Sequence, residues 1–126
     1  MPRLIQIAQR AEDLSRASDF YARLLGIEPA AQFDPPGLVF FDLDGTRLLL
    51  DRVAPSALVY IGVDDVQTRV EELRAERVQI TGEPHVIFQH VDGALGPAGT
   101  DEWMAFVEDS EGNTVGLVSR SPTSSG

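Results

Sequence analysis

The chain of 126 residues has no cysteine, two histidines and a single tryptophan. Without cysteine, neither a disulfide framework nor a thiolate metal site can form. There is no run of 18 apolar residues, so no segment reads as a membrane-spanning helix. The sequence lacks a Gly-x-Ser-x-Gly elbow, a phosphate-binding loop, a dinucleotide fingerprint and any zinc-type spacing. Basic residues are few: 10 against 20 acidic ones, for a net charge of −10. That balance excludes a nucleic-acid partner, which needs a basic surface. It favours solubility and is compatible with a cationic ligand. The opening MPRLIQIAQRAEDL enters a strand pattern with no signal-peptide core, so a cytoplasmic location is expected.

What is present is ordinary for a globular protein: 43% hydrophobic and 24% charged residues, enough for one domain with a core. Residues 3–10, RLIQIAQR, alternate as a strand, with Gln6, Ala8 and Arg10 on one face and Ile5, Ile7 and Gln9 on the other. Asp13 is placed to cap a helix whose apolar stripe is Leu14, Ala17, Phe20, Tyr21, Leu24 and Leu25, ended by Gly26. A turn at residues 33–37 leads to strands at Leu38–Leu43 and Thr46–Leu50, joined at Asp44-Gly45. Residues 51–56 read as a linker.

The order then repeats. Ala57–Val63 is a strand, Asp65 caps a helix carrying Val66, Val70 and Leu73, and strand signals recur at Val78–Ile80 and Val86–His90. A Gly-rich loop at 91–101 precedes a final hairpin, Trp103–Val107 and Thr114–Val118, and the tail SRSPTSSG reads as frayed. Asp13 and Asp65 are 52 residues apart, which sets Gln6 opposite Leu58; Gly45 and Gly112 are 67 apart, which sets Leu49 opposite Gly116. Gly116 lies within an apolar, β-branched strand, where glycine marks a bulge or a close approach.

Several landmarks now fall into a known order. Asp13-Leu14, Phe20-Tyr21 and Leu25-Gly26 in the first half, with Val63-Asp64-Asp65-Val66 and WMAFVEDSEGNTVGLV in the second, resemble the vicinal oxygen chelate superfamily. This is the glyoxalase/bleomycin-resistance/dioxygenase fold, and the resemblance covers roughly residues 3–119. Ser110 stands where proline is commoner in the closing hairpin. The resemblance implies an α+β fold: two βαβββ modules, about 3–51 and 57–119, forming a curved mixed sheet around a cleft with the helices outside, followed by a tail at 120–126.

In metal-dependent members the resemblance implies four ligands, two from each module. By position they map to Gln6, Leu49, Leu58 and Gly116. Of these only Gln6 has a donor atom, and one neutral amide does not hold a divalent cation against water. A slip of one residue brings up only Leu48, Leu50, Ala57 or Val59, so the loss survives it. The expected reading is therefore metal-free and without cofactor. The alternative is a divalent metal held through Gln6, Asp51 and His90, Asp51 being a displaced ligand on the face of Leu49.

The remaining candidates are ligand-binding. Arg10 shares the face of Gln6, and Arg47 that of Leu49, and either is suited to an anionic group. Tyr60 falls two residues after Leu58, and Trp103 adds a second aromatic with a polar tip. Phe40 and Phe41 point to opposite faces. His85 and His90 are five apart and expected on opposite sides of a strand, with His90 near the Gly-rich loop. Glu108, Asp109 and Glu111 read as turn chemistry and surface charge. The set expected to bind a ligand is Gln6, Arg10, Arg47, Tyr60, His90 and Trp103, with no catalytic residue assigned. The expected function is sequestration or carriage of a small molecule in a cleft between the modules of a homodimer. The alternative is a lyase, isomerase, epimerase or dioxygenase with an altered site drawing on Gln6, Asp51, His90 and Glu108.

Overall fold

A computed structural model describes residues 2–123. The described residues divide into two compact units: 2–58 with 109–113, and 59–108 with 114–123. Each unit is a four-stranded mixed sheet with one helix, the α+β architecture expected from the repeat.

The first unit runs β1 (Gln6–Arg10), α1 (Leu14–Leu25), β2 (Ala31–Phe33), β3 (Leu38–Leu43) and β4 (Thr46–Asp51), in sheet order β1-β4-β3-β2. The Asp13 side chain accepts from the Arg16 amide at 3.0 Å and caps α1, and Gly26 at φ 70° ends it. Asp44 (φ 55°) and Gly45 (φ 99°) both take the left-handed conformation, which a two-residue hairpin turn with the right twist requires. The buried side of α1, including Ala17, Phe20, Tyr21 and Leu24, packs on β3 and β4, where Val39, Phe41, Leu48 and Leu50 are buried. Burial of that apolar set is the main stabilisation of the unit. Strand β2 lacks a sequence signal because it is three residues long and leads straight into the turn at 34–37.

The second unit repeats the plan: β5 (Val59–Gly62), α2 (Val66–Ala75), β6 (Ile80–His90), β7 (Thr100–Glu108) and β8 (Thr114–Pro122), in order β5-β8-β7-β6. Asp65 caps α2 by accepting from Gln67 and Thr68, and Val66, Val70 and Leu73 are buried. Of the two apolar signals, only Ile80 of 78–80 and all of 86–90 belong to one long strand, β6, whose register shifts act as bulges. The tail is shorter than expected. Ser119–Pro122 extend β8, and Thr123 donates from its amide to Gly99 and from its hydroxyl to Asp101. Residues 124–126 lie outside the described residues.

Strand registers repeat between the units. Ala8 pairs with Leu49 in parallel β1–β4, and Tyr60 pairs with Gly116 in parallel β5–β8. The separations from Ala8 to Tyr60 and from Leu49 to Gly116 are the 52 and 67 residues of the sequence repeat. Among the described residues no helix is long and apolar enough to cross a membrane.

Candidate functional site

Each sheet has a face covered by its helix and a face turned away from it. In the first unit the second face carries Gln6, Ala8 and Arg10 on β1, Arg47, Leu49 and Asp51 on β4, and Phe40 and Asp42 on β3. Gln6 and Arg47 meet there: Arg47 Nε donates to Gln6 Oε1 at 2.9 Å, and the guanidinium lies 5.9 Å from the Phe40 ring centre. Of the two adjacent phenylalanines, Phe41 is in the core and Phe40 on this face. Arg10 is four residues along β1, about 13 Å away at strand spacing. It lines a separate hollow of ≈ 480 Å³ with Glu12, Arg52, Glu111 and Asn113. Asp51 pairs with Arg10, at that far end, and its side chain accepts from the Val53 amide at 3.0 Å.

The positions assigned to a divalent cation do not fit one. Leu49 and Leu58 offer no donor, and the single available oxygen, Gln6 Oε1, already accepts from a cation. At Gly116 a side chain has no room: an added Cβ would lie 2.6 Å from Tyr60 Cδ1 and 3.3 Å from Phe106 Cε1. The alternative ligand set is not assembled either. Gln6 and Asp51 sit at opposite ends of one sheet, and His90 is buried in the second unit against Glu102. Among the described residues no three His, Asp or Glu side chains group as a metal site.

In the second unit, the face away from α2 carries Tyr60 on β5, Gly116, Val118 and Arg120 on β8, and Glu102, Met104 and Phe106 on β7. The Tyr60 ring lies over Gly116 and meets Phe106 edge-on, with centroids 6.2 Å apart. The close approach inferred from the glycine is therefore made by this chain's own aromatic. Tyr60, Gly62, Val63, Glu102, Met104, Val118, Ser119 and Arg120 line a groove of ≈ 510 Å³.

At its polar end, Glu102 Oε1 accepts from Arg120 Nε at 3.2 Å and lies 2.9 Å from His90 Nε2. His90 is buried, with Phe88 edge-on at 4.8 Å. His85 is exposed, with its Nδ1 3.0 Å from the Glu83 carbonyl oxygen. The two histidines pair with Met104 and Thr100, four apart on β7, so the bulge between Val86 and Phe88 sets both on one side rather than on opposite sides.

Trp103 is elsewhere. It pairs with Ser119, whose hydroxyl caps the start of α2 through the Val66 amide, so Trp103 faces the helix, and its Nε1 donates to Ser121 Oγ at 3.1 Å. Tyr60 and Trp103 thus occupy opposite faces of one sheet. Within each unit the three ligand-binding candidates do not all share one place. In the first unit Gln6 and Arg47 meet and Arg10 stands apart from them; in the second Tyr60 and His90 border the groove face and Trp103 lies on the other face.

The acidic turn also differs from expectation. Asp109 is buried and accepts from the Tyr21 hydroxyl at 2.6 Å and from the amides of Glu111 and Asn113 at 2.8 and 2.7 Å. The Glu111 side chain, 1% exposed, takes a bidentate grip from Arg16 at 2.6 and 3.0 Å and the Asp13 amide at 2.9 Å. The Arg16 hydrogen bond, opposed by burial and helped by the Asp13 amide, holds the Glu111 carboxyl down to about 2. Burial and the Asp109 charge push the Tyr21 phenol well above its usual range. These are structural interactions of the first unit and not a surface acidic patch. Of the groove's polar residues, sequence reasoning missed Glu102 and Arg120. Their signal was alternation continued outward from the final hairpin, before Trp103 for Glu102 and past Val118 for Arg120, where polar residues mask it.

The family model of the Glyoxalase/Bleomycin resistance protein/Dioxygenase superfamily matches residues 3–117. Among solved structures, the chain is similar to glyoxalase I from Zea mays, with TM-score 0.69 and 22% identity over 96% of this chain and 46% of that chain. It is similar to a superfamily member from Sphaerobacter thermophilus, with TM-score 0.68 and 20% identity over 94% and 97% of the two chains. It is also similar to a glyoxalase/bleomycin resistance protein/dioxygenase from Alicyclobacillus acidocaldarius, with TM-score 0.64 and 18% identity over 92% and 89%. At these identities the likeness is one of fold. No curated protein matches the chain.

Proposed function

The chain belongs to the Glyoxalase/Bleomycin resistance protein/Dioxygenase superfamily, and on that premise we propose that it binds a small organic molecule without a metal, in the groove of its second unit. The observation that carries this reading is the exchange at Gly116. Where the resemblance assigns a metal-binding glutamate, this chain has a glycine covered by the Tyr60 ring. Half-exposed Tyr60, with Met104 and Val118 beside it, supplies a flat apolar wall. Glu102 and Arg120 supply polar contacts at one end.

Such a molecule would be sequestered or carried, in the manner of a bleomycin-resistance protein. A second copy of the chain is the expected partner. The edge strand β6 supports it, because Val86, Ile87 and Phe88 are consecutive exposed apolar residues there. Calorimetric titration of the protein with aromatic metabolites and cationic glycopeptides tests the binding role. Saturable binding of at least one class is expected. No saturable binding by any of them at millimolar protein would overturn it.

A further inference from the structure

We infer that the groove of the second unit selects a flat organic anion and fixes its acidic group on Arg120. The inference rests on the reading of that groove as a ligand site and names the class of ligand. Two charged side chains border the groove, and they are not equally presented. The Glu102 side chain is 14% exposed and that of Arg120 is 42% exposed. Glu102 is held from behind by His90, whose own side chain is 1% exposed. The charge turned to solvent is therefore the guanidinium.

Its hydrogen-bonding geometry points the same way. A guanidinium has five N–H donors and two edges that match a carboxylate. Here Glu102 takes Nε alone, through one oxygen, and the Leu95 carbonyl lies 3.5 Å from one terminal nitrogen. Neither contact uses Nη1, and the long contact to Leu95 engages only one of the two hydrogens on Nη2, so both terminal nitrogens have a hydrogen left for a bidentate acid. Gly96 makes this seat possible: a Cβ there would come 2.8 Å from Arg120 Nε and 3.0 Å from His90 Cε1. From Arg120 the groove leads over Val118 and Met104 to Tyr60, a surface suited to a planar ring system. The recognised chemistry is an aromatic carboxylate or a similar organic acid, despite the acidic character of the whole chain.

The test uses the full chain and three isosteric probes: 2-naphthoate, neutral 2-naphthamide and cationic 2-naphthylmethylammonium. Affinities are measured by calorimetry for wild type, Arg120→Gln, Arg120→Lys, Glu102→Gln and Tyr60→Ala, each checked for fold by circular dichroism. The naphthoate should bind more tightly than the amide. Arg120→Gln should weaken it about tenfold and leave the amide unchanged, with Arg120→Lys in between. Glu102→Gln should strengthen it about threefold, because the competing charge is gone. Equal binding of naphthoate and amide, unmoved by Arg120→Gln and Glu102→Gln but lost in Tyr60→Ala, would overturn the anion selectivity and leave the groove reading standing. Tightest binding of the cation, weakened by Glu102→Gln, would overturn it in favour of Glu102 as the anchor. Binding of no probe, or binding indifferent to Tyr60→Ala, would overturn the groove reading itself and this inference with it.

Discussion

Gly116 shows how far one residue can be understood from sequence. Its position in a β-branched strand already indicates that something approaches closely. The sequence repeat places it opposite Leu49, and the strand registers agree. What approaches was not legible, because the β5–β8 register that sets Tyr60 over Gly116 joins residues 56 apart. The space beside the glycine is filled by the protein's own ring. Gly116→Ala should displace that ring and its edge contact with Phe106, costing about 1 kcal/mol in urea denaturation. In a Tyr60→Ala background the same change should cost almost nothing, and an undiminished cost there would show that the ring is not what the glycine accommodates.

At the scale of elements, the β7–β8 turn and the start of α1 form one assembly within the first unit. Asp109, Glu111 and Asn113 look like surface residues in sequence, since acidic tight turns usually are. Their partners Tyr21 and Arg16 lie 88 and 95 residues away, so local reading had nothing to find. Tyr21→Phe removes one donor to Asp109 and should cost about 1–2 kcal/mol. Asp109→Ala strands the phenol and two turn amides and should cost about 3 kcal/mol or more by chemical denaturation.

Glu111 gives a pH signature. Its folded carboxyl lies below its unfolded one, about 2 against 4.5, so the folded state holds the charge more firmly. That contribution is fully present above about pH 4.5 and lost as pH falls towards 2. Glu111→Gln should therefore be less stable than wild type at pH 7, and the gap should narrow between pH 4.5 and 2.5. A gap that stays constant over that range would contradict the pairing. The caps at Asp13 and Asp65 and the Asp44-Gly45 turn were legible because each depends on residues three or four apart. Strand β2 and the bulges of β6 were not, because neighbouring strands define them.

For the whole molecule, the repeated strand–helix–strand order was readable because hydrophobic period and caps recur in both halves. The candidate site was readable only in part. Face assignments by alternation agree with the strand registers for Gln6 with Arg10, for Arg47 with Leu49 and for Phe40 against Phe41. They failed where a bulge intervened, at His85 and His90, and they gave no face for Trp103, which the β7–β8 pairing decides. The −10 charge describes an average over the chain and does not describe the groove, where an arginine is the more exposed of the two charges.

Light scattering should give a mass twice the 13.7 kDa of the chain. Ile87→Lys on β6 should return it to the single-chain mass if that edge makes the contact, and a wild-type monomer at micromolar concentration would contradict the expected partner.

The central claim is that the groove of the second unit binds an organic molecule without a metal. The most direct measurement is calorimetric binding of 2-naphthamide to chelator-treated protein, in wild type and Tyr60→Ala. Saturable binding in the chelator, unchanged by added divalent metal and lost in Tyr60→Ala, is the predicted result. Binding that appears only when divalent metal is restored would contradict it.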